Sequence, residues 1–434
     1  MLKKIVSISI IFLIIYSAIC SSEKLTDKFN SLDDECKNID SEIFKMIESI
    51  NHSLVYQYHD DLMSFGPRYT GSQNCSLAGD YIYGAFKEMG YQTEKQPWSL
   101  DEFNSRNIEA SLEGIHSNKV IYLLTAHYDC TPGSLGANDD GSGIAALLAI
   151  ADVMRDHTFN NTIRFVAFSG EEVGTYGSFC YARDAYRNQD DIKAVLNIDM
   201  IGYANSVEGG KKIRFHYPKR SEWIVETAYE ISLKYNHVID MIVEGRPNYI
   251  GADHQSFVDY GYDGTWIAHP DSYPWANTPD DNPEHLNWSY QVKATQVICA
   301  ILAEMANEPI RLHIQLLTPY EGYWYINTKP VIPLDFGRLW AKNLRGCTLL
   351  VGTTSSEAKV IADDPIEYVV FCLDNNFMQF DSSPPYVWEK IRGKHAPPFG
   401  SYTLRVYVYT TTGEVASDEM NIFSLSLNYY YRWW

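Results

Sequence analysis

The segment that decides the fold is Val120-Ile-Tyr-Leu-Leu-Thr-Ala-His127-Tyr-Asp129, followed by Gly136-Ala-Asn-Asp139-Asp-Gly-Ser-Gly143. The unbroken apolar run before His127 is typical of a strand buried on both faces of a parallel sheet. Residues 143–154 continue as an apolar helical segment. A buried strand, a glycine-rich turn and a helix in this order predict an α/β unit. Polar residues at the end of its strand should lie at the carboxyl edge of the sheet.

The same alternation of strands and helices extends on both sides of this unit. Further strands are predicted at residues 107–112, 163–168, 193–198, 212–216 and 265–268. Further helices are predicted at residues 42–65, 76–89, 221–235 and 289–305. We therefore expect residues 42–310 to form an α/β domain with a mixed, largely parallel central sheet and helices on both faces.

The pattern changes after residue 310, where convincing helices give way to short β runs. These runs lie at residues 314–317, 348–351, 366–372, 402–411 and 419–425. They predict that residues 311–434 form an all-β, immunoglobulin-like sandwich. By analogy alone, such a domain would attach the protein to a surface or polymer.

The N-terminus has the pattern of an export signal. Lys3 and Lys4 precede an apolar stretch at residues 5–19, and small residues follow. A span of the bilayer needs about 20 apolar residues, so cleavage after about residue 20 is favoured over an uncleaved anchor. We expect residues 1–20 to be a signal peptide, residues 21–41 a polar segment, and the mature protein extracellular or at the cell surface.

Export permits disulfide bonds between the eight cysteines. The pairs Cys36–Cys75 and Cys347–Cys372 are reasonable guesses, although connectivity cannot be read from a sequence. The net charge of −20 excludes nucleic acid as the expected partner, because phosphate binding needs clustered Lys and Arg.

Four acidic motifs follow one another along the α/β segment, each at or just after a predicted strand end or at a helix start. They contain His127 and Asp129, then Asp139, then the pair Glu171-Glu172, and finally Asp199. Any one of them alone would be read as a solvated turn or a helix cap. Together they bring nitrogen and oxygen ligands to one edge of a sheet, and this mixture suits Zn²⁺.

These motifs, over about residues 40–308, resemble the co-catalytic zinc exopeptidases of metallopeptidase family 28. That family includes secreted bacterial aminopeptidases, aminopeptidase Y and glutamate carboxypeptidases. The resemblance implies the zinc-exopeptidase fold, two zinc ions and a cis peptide bond after Asp139. It further implies the following roles: His127 and Asp199 on one zinc, Glu172 on the other, Asp139 bridging both, Glu171 as general base, and Asp129 orienting His127.

The sequence departs from the family at the last metal ligand. The family has a histidine in this loop, whereas here Asn277 stands in Tyr273-Pro-Trp-Ala-Asn277-Thr-Pro-Asp-Asp281. An amide oxygen is a poor zinc ligand beside imidazole. Three outcomes stay open: weak ligation by Asn277, substitution by a nearby histidine such as His269, or loss of the Glu172 metal.

The resemblance implies a secreted exopeptidase acting on peptides or proteins, most commonly an aminopeptidase. A carboxypeptidase with the same metal set is one alternative. A metal-deficient, weak or inactive peptidase-like binding protein is another. A one-zinc glutaminyl cyclase is disfavoured, because it normally keeps the histidine that Asn277 replaces.

Overall fold

The computed structural model describes residues 40–115, 120–247, 251–309, 312–334, 347–352, 354–389 and 399–425. The predicted signal peptide, most of the polar segment after it and Cys36 lie outside these residues. Among the helices in the described ranges, none is both long and apolar enough to cross a membrane.

The first two thirds of the described chain alternate between helices and strands. The helices are α1 (Ser41–Ser49), α2 (His52–Met63), α3 (Gln73–Glu88), α4 (Gly141–Met154), α5 (Tyr176–Asn188), α6 (Glu222–Ile239), α7 (His254–Asp259) and α8 (Trp288–Asn307). The strands are β1 (Gln92–Leu100), β2 (Phe103–Leu112), β3 (Ile121–His127), β4 (Thr162–Phe168), β5 (Ile192–Ile198), β6 (Lys212–Tyr217), β7 (Ile242–Pro247) and β8 (Gly264–Ala268).

These eight strands form one mixed sheet in the order β1-β2-β4-β3-β5-β8-β6-β7. The central strands β4, β3, β5 and β8 are mutually parallel, whereas β2 pairs with β4 and β6 pairs with β8 in antiparallel fashion. Along β3, Leu124 packs into a core with α4 and α8, while Leu123 packs on the other face with α5 and α7. The predicted α/β fold with helices on both faces is confirmed.

The long N-terminal helix predicted at residues 42–65 is wrong, because the chain forms two helices there. Asn51 lies in extended backbone between them, and its side chain accepts a hydrogen bond from the Leu54 amide at 3.1 Å. This cap starts α2 afresh after α1. The helical spacing of apolar residues across the break concealed it, since both helices bury the same face.

The remaining strands form two further sheets. They are β9 (Leu312–Thr318), β10 (Tyr323–Ile326), β11 (Lys329–Pro333), β12 (Cys347–Val351), β13 (Ser356–Ala362), β14 (Ile366–Leu373), β15 (Asn376–Asp381), β16 (Tyr386–Trp388), β17 (Phe399–Thr410) and β18 (Val415–Leu425). Seven strands have the order β11-β10-β12-β18-β17-β14-β15, and three have the order β16-β13-β9. Their apolar faces share a separate core that includes Leu404, Val406 and Val408. This part is all-β as predicted, and its immunoglobulin-like character stays a prediction.

The guessed disulfides Cys36–Cys75 and Cys347–Cys372 are wrong, because one cysteine of each pair is a free thiol in the structure. Cys75 and Cys372 are both buried free thiols. Cys75 lies with its sulfur 3.6 Å from the Ser169 hydroxyl.

Candidate active site

Three parallel strand ends place the acidic motifs side by side. Strand β3 lies between β4 and β5, and its last residue, His127, is in register with Phe168 at the end of β4. Glu171 and Glu172 follow β4 within four residues, and Asp199 directly follows β5. Because all three strands run in the same direction, their following residues meet at one edge, as the sequence predicts.

The core of the site is a buried histidine that faces two carboxylates. Nε2 of His127 lies 3.3 Å from Oδ1 of Asp139 and 3.8 Å from Oδ1 of Asp199. Ligand atoms of these three residues all lie within 4.8 Å of one another. Nδ1 of His127 contacts the Asp129 carbonyl at 3.1 Å, while Nε2 has no hydrogen-bond partner.

This geometry fits a bound cation. With a proton on Nδ1, the Nε2 lone pair of His127 points toward two negative oxygens, which is repulsive unless a proton or metal lies between them. Burial opposes protonation of His127, but the nearby carboxylates of Asp129, Asp139 and Asp199 raise its pKa well above the ordinary value. One imidazole and two carboxylates are a donor set that suits zinc.

Asp129 connects the histidine to the Glu171-Glu172 loop. Its carboxylate lies 3.6 Å from Nδ1 of His127 and accepts hydrogen bonds from the Thr70 hydroxyl at 2.6 Å and from the Glu171 and Glu172 amides at 3.2 and 3.3 Å. Burial alone would raise the pKa of Asp129, yet these contacts outweigh it and hold the pKa below its usual range. Asp129 is therefore an ionised anchor for both sides of the site.

The turn before α4 holds Asp139 in place. The peptide bond between Asp139 and Asp140 is cis, as the resemblance implies. Asp140 caps α4 by accepting a hydrogen bond from the Gly143 amide at 2.8 Å. The buried Asp281 accepts hydrogen bonds from the amides of Asn138 at 2.9 Å and Asp139 at 3.1 Å. The loop that contains Asn277 is thus fastened directly to the backbone of Asp139.

A fully buried arginine fixes the segment between Asp129 and Asp139. The guanidinium of Arg68 donates hydrogen bonds to the carbonyls of Tyr128 at 2.8 Å, Leu135 at 2.8 Å and Gly136 at 3.1 Å. Its backbone amide donates to the Cys130 sulfur at 3.0 Å. Arg68 therefore contributes hydrogen bonds to the main chain on both sides of the turn.

The acidic residues around the histidine have strongly perturbed pKa values. Burial raises the pKa of Glu171 well above its ordinary value. Burial and repulsion from Asp139 raise the pKa of Glu172 to about 8. Burial raises the pKa of Asp253 to about 7. The carboxyl group of Asp253 interacts electrostatically with His127, Asp129 and Asp199. Such crowding of carboxyl groups is typical of a functional site that receives positive charge.

Asn277 and His269 take different positions around this site. The Asn277 side chain faces Glu172, and in the amide orientation that satisfies both groups its nitrogen lies 2.9 and 3.0 Å from the two carboxylate oxygens. His269 instead contacts the backbone carbonyl of Asp271 through Nδ1 at 2.8 Å and the side-chain amide nitrogen of Asn138 through Nε2 at 3.0 Å. The structure therefore brings Asn277, and not His269, to the Glu172 side of the site.

Several residues in the site were not assigned from the sequence. Thr70 and Arg68 belong to the loop at residues 66–72, which lies before α3 and away from the strand ends that located the other residues. Asp281 was visible in the preserved Pro-Asp-Asp end of the Asn277 loop. Asp253 precedes a histidine and follows none of the strands predicted from the sequence, so the rule that located the other carboxylates did not apply to it.

One histidine and two carboxylates gathered at a sheet edge form a donor set that suits a metal ion. Comparison with known proteins agrees: residues 107–302 match the model of Peptidase family M28. Among similar proteins, Aminopeptidase YwaD of Bacillus subtilis is 26% identical over 275 residues, which cover 58% of this chain and 56% of that protein. Leucine aminopeptidase 1 of Penicillium rubens is 27% identical over 298 residues, covering 62% of this chain and 75% of that protein.

The fold comparison points the same way. The structure of BSAP, a zinc aminopeptidase from Bacillus subtilis, superposes with a TM-score of 0.54 at 16% identity and covers 60% of this chain and 96% of that one. This likeness establishes a shared fold. Residues 107–302 are thus similar to the peptidases of family M28. The chain spans only 56% of the length of YwaD, the first of these relatives.

Proposed function

We propose that this protein is a secreted, zinc-dependent aminopeptidase. The observation that carries the proposal is the buried Nε2 of His127, which has no hydrogen-bond partner and faces Asp139 and Asp199 beside the carboxyl group of Glu171. The names of its relatives and of structurally similar proteins support zinc and cleavage at the amino end of peptides.

His127, Asp139 and Asp199 would hold the zinc ion. A zinc ion at such a site polarises a carbonyl and makes a water molecule acidic enough to attack it near neutral pH. Asp129 keeps the His127 ring in its orientation and leaves Nε2 available as a ligand. These roles use residues whose positions are fixed by strand ends and by buried hydrogen bonds.

Glu171 is suited to move the proton. Its backbone amide is held at 3.2 Å from Oδ1 of Asp129, so its carboxyl group stays close to the ligand cluster. In hydrolysis, Glu171 would accept a proton from the attacking water and return it to the leaving amine as the C–N bond breaks. Burial raises the pKa of Glu171, so its carboxylate is a stronger base than that of an exposed glutamate.

Export is proposed from the N-terminal sequence pattern at residues 1–20. Peptides or proteins outside the cell would be the substrates. The inactive binding-protein alternative is disfavoured, because a scaffold without chemistry has no physical need for a buried, unpartnered imidazole nitrogen among carboxylates.

The test is an assay of the purified protein on three peptides of one sequence. One peptide has a free amino end and an amidated carboxyl end, the second is acetylated and has a free carboxyl end, and the third is blocked at both ends. Hydrolysis of the first alone, abolished by a zinc chelator and restored by zinc, is the expected result. Hydrolysis of the second alone would indicate a carboxypeptidase, and no hydrolysis of any peptide would support a binding protein.

A further inference from the structure

The contact between Asn277 and Glu172 is the feature in which this site departs most from a two-metal centre. We assign the Asn277 amide with its nitrogen toward Glu172, because in the opposite orientation its oxygen would face only acceptors; with this assignment the nitrogen lies 2.9 Å from Oε1 and 3.0 Å from Oε2 of Glu172. A donor that bridges both oxygens of a carboxylate occupies the direction from which a cation would bind them. Glu172 is thus paired with a neutral amide.

The position of Asn277 is imposed by its loop. Asp281, four residues later, accepts hydrogen bonds from the amides of Asn138 and Asp139 and from the Tyr273 hydroxyl at 2.6 Å. Asn277 itself has a φ of 59°, in the left-handed region that asparagine tolerates better than most residues. The Asn277 side chain therefore reaches Glu172 from a loop that Asp281 ties to the backbone of Asn138 and Asp139 and to the Tyr273 hydroxyl.

The donor atoms support one zinc and not two. Within the described part of the chain, the residues that gather as possible metal ligands are His127, Asp139 and Asp199, and Glu172 is outside this group. A second zinc on Glu172 would have to displace the amide and accept an amide oxygen in place of imidazole. The residues on the Glu172 side do not fit a second zinc ion.

The site still needs positive charge after one zinc is bound. Four carboxyl groups, those of Asp139, Asp199, Glu171 and Glu172, belong to the same sheet edge as the single imidazole of His127. One divalent cation offsets two negative charges. A carboxylate that accepts hydrogen bonds from one amide has further lone pairs, so Glu172 can also accept hydrogen bonds from an ammonium group.

We propose that Glu172 and Asn277 form a metal-free receptor for the α-ammonium group of the substrate, in a centre that holds one zinc ion per chain. Asn277 orients the Glu172 carboxylate, and Glu172 binds the charged end of the peptide where a two-metal enzyme would place its second metal. This inference rests on the proposed aminopeptidase function, because only such an enzyme needs to recognise a free amino end.

The first test counts zinc by elemental analysis after equilibration with excess zinc and gel filtration. The wild-type protein is expected to hold one zinc per chain, and Asn277→His is expected to hold two. Asn282→His is the matched control, since it adds a histidine to the same loop away from Glu172 and should leave the count at one. Two zinc ions in the wild-type protein would overturn the inference.

The second test measures binding without turnover, using Glu171→Gln loaded with zinc. Calorimetry should show that a dipeptide amide with a free amino end binds at least about tenfold more tightly than its acetylated form, as expected for a charge-assisted contact. Adding Glu172→Gln should reduce that ratio to about one while zinc stays at one per chain. An unchanged ratio would overturn the role of Glu172.

The two tests separate this inference from the proposed function. The protein could hold one zinc ion and prefer free amines through Glu172, yet hydrolyse no peptide. That result would contradict the aminopeptidase proposal and support the ammonium-binding role of Glu172. Two zinc ions per chain together with hydrolysis would support the aminopeptidase proposal and contradict the ammonium-binding role of Glu172.

Discussion

Arg68 offers a stringent test of how the site is held together. Its side chain is completely buried, and its guanidinium donates hydrogen bonds to the carbonyls of Tyr128, Leu135 and Gly136 within 3.1 Å. The substitution Arg68→Met keeps most of the length of the side chain and removes every donor. The carbonyls of Tyr128 and Leu135 would then lose this partner, whereas the Gly136 carbonyl would keep its hydrogen bond from the Gly141 amide at 2.9 Å.

The expected loss follows from the two acceptors that are left without a partner. A buried polar group left without a partner costs about 1–3 kcal/mol. Allowing for partial relaxation, Arg68→Met should lower the free energy of unfolding by about 2–4 kcal/mol in urea titrations. Arg68→Lys retains the charge and one or two donors, so it should lose about half as much and remain folded. Because the carbonyls flank the turn to Asp139, both variants should also bind zinc more weakly in competition with a chelator.

Arg155→Met is the matched control. The Arg155 side chain is 44% exposed and pairs with Asp152 at 2.7 Å on the surface. Its removal should change stability by no more than about 0.5 kcal/mol and should leave zinc affinity unchanged. If Arg68→Met were to cost less than about 1 kcal/mol, or to leave zinc affinity at the wild-type value, the buried guanidinium would not have the role assigned to it.

Two further predictions concern neighbouring residues. Burial lowers the pKa of His59 to about 4. Below pH 6.5 the unfolded chain therefore binds a proton at His59 that the folded chain does not bind. The free energy of unfolding should fall as the pH drops from 6.5 to 4, and this residue should account for about 2 kcal/mol of loss by pH 5. Urea midpoints at pH 7.5 and 5 should show that His59→Gln abolishes this part of the loss, and equal losses in both proteins would contradict the assignment. Asp281→Asn replaces one carboxylate oxygen, an acceptor for the Asn138 or Asp139 amide, by a donor. It should lower the free energy of unfolding by about 1–3 kcal/mol and weaken zinc binding. Unaltered zinc affinity would show that the anchoring of the loop by Asp281 is dispensable.

The sheet centre was predictable because its strands are apolar on both faces. A run such as Ile121–His127 has few alternatives to a buried strand, and strand direction then brings His127, Asp199 and the Glu171-Glu172 pair together. The edge strand Gln92–Leu100 was missed, since most of its residues are polar and Pro97 interrupts it. Edge strands tolerate such residues because one side is not hydrogen-bonded.

The outer part of the site depended on contacts between distant segments. The sequence shows that Asn277 replaces a histidine, but not that its amide faces Glu172. The sequence alone therefore leaves three outcomes for Asn277 open. Likewise, the preserved Asp281 gave no hint that it holds the Asp139 amide, because that contact exists only after the chain has folded.

Zinc-dependent catalysis through Glu171 has one decisive measurement, the comparison of Glu171→Gln with the wild-type protein in both zinc content and turnover. Glu171 is placed to move a proton and is outside the ligand group formed by His127, Asp139 and Asp199. The variant should therefore retain its zinc and lose at least about a hundredfold in kcat on a peptide with a free amino end. Retained zinc with undiminished kcat, or hydrolysis by the wild-type protein that persists after complete removal of zinc, would contradict the proposed mechanism.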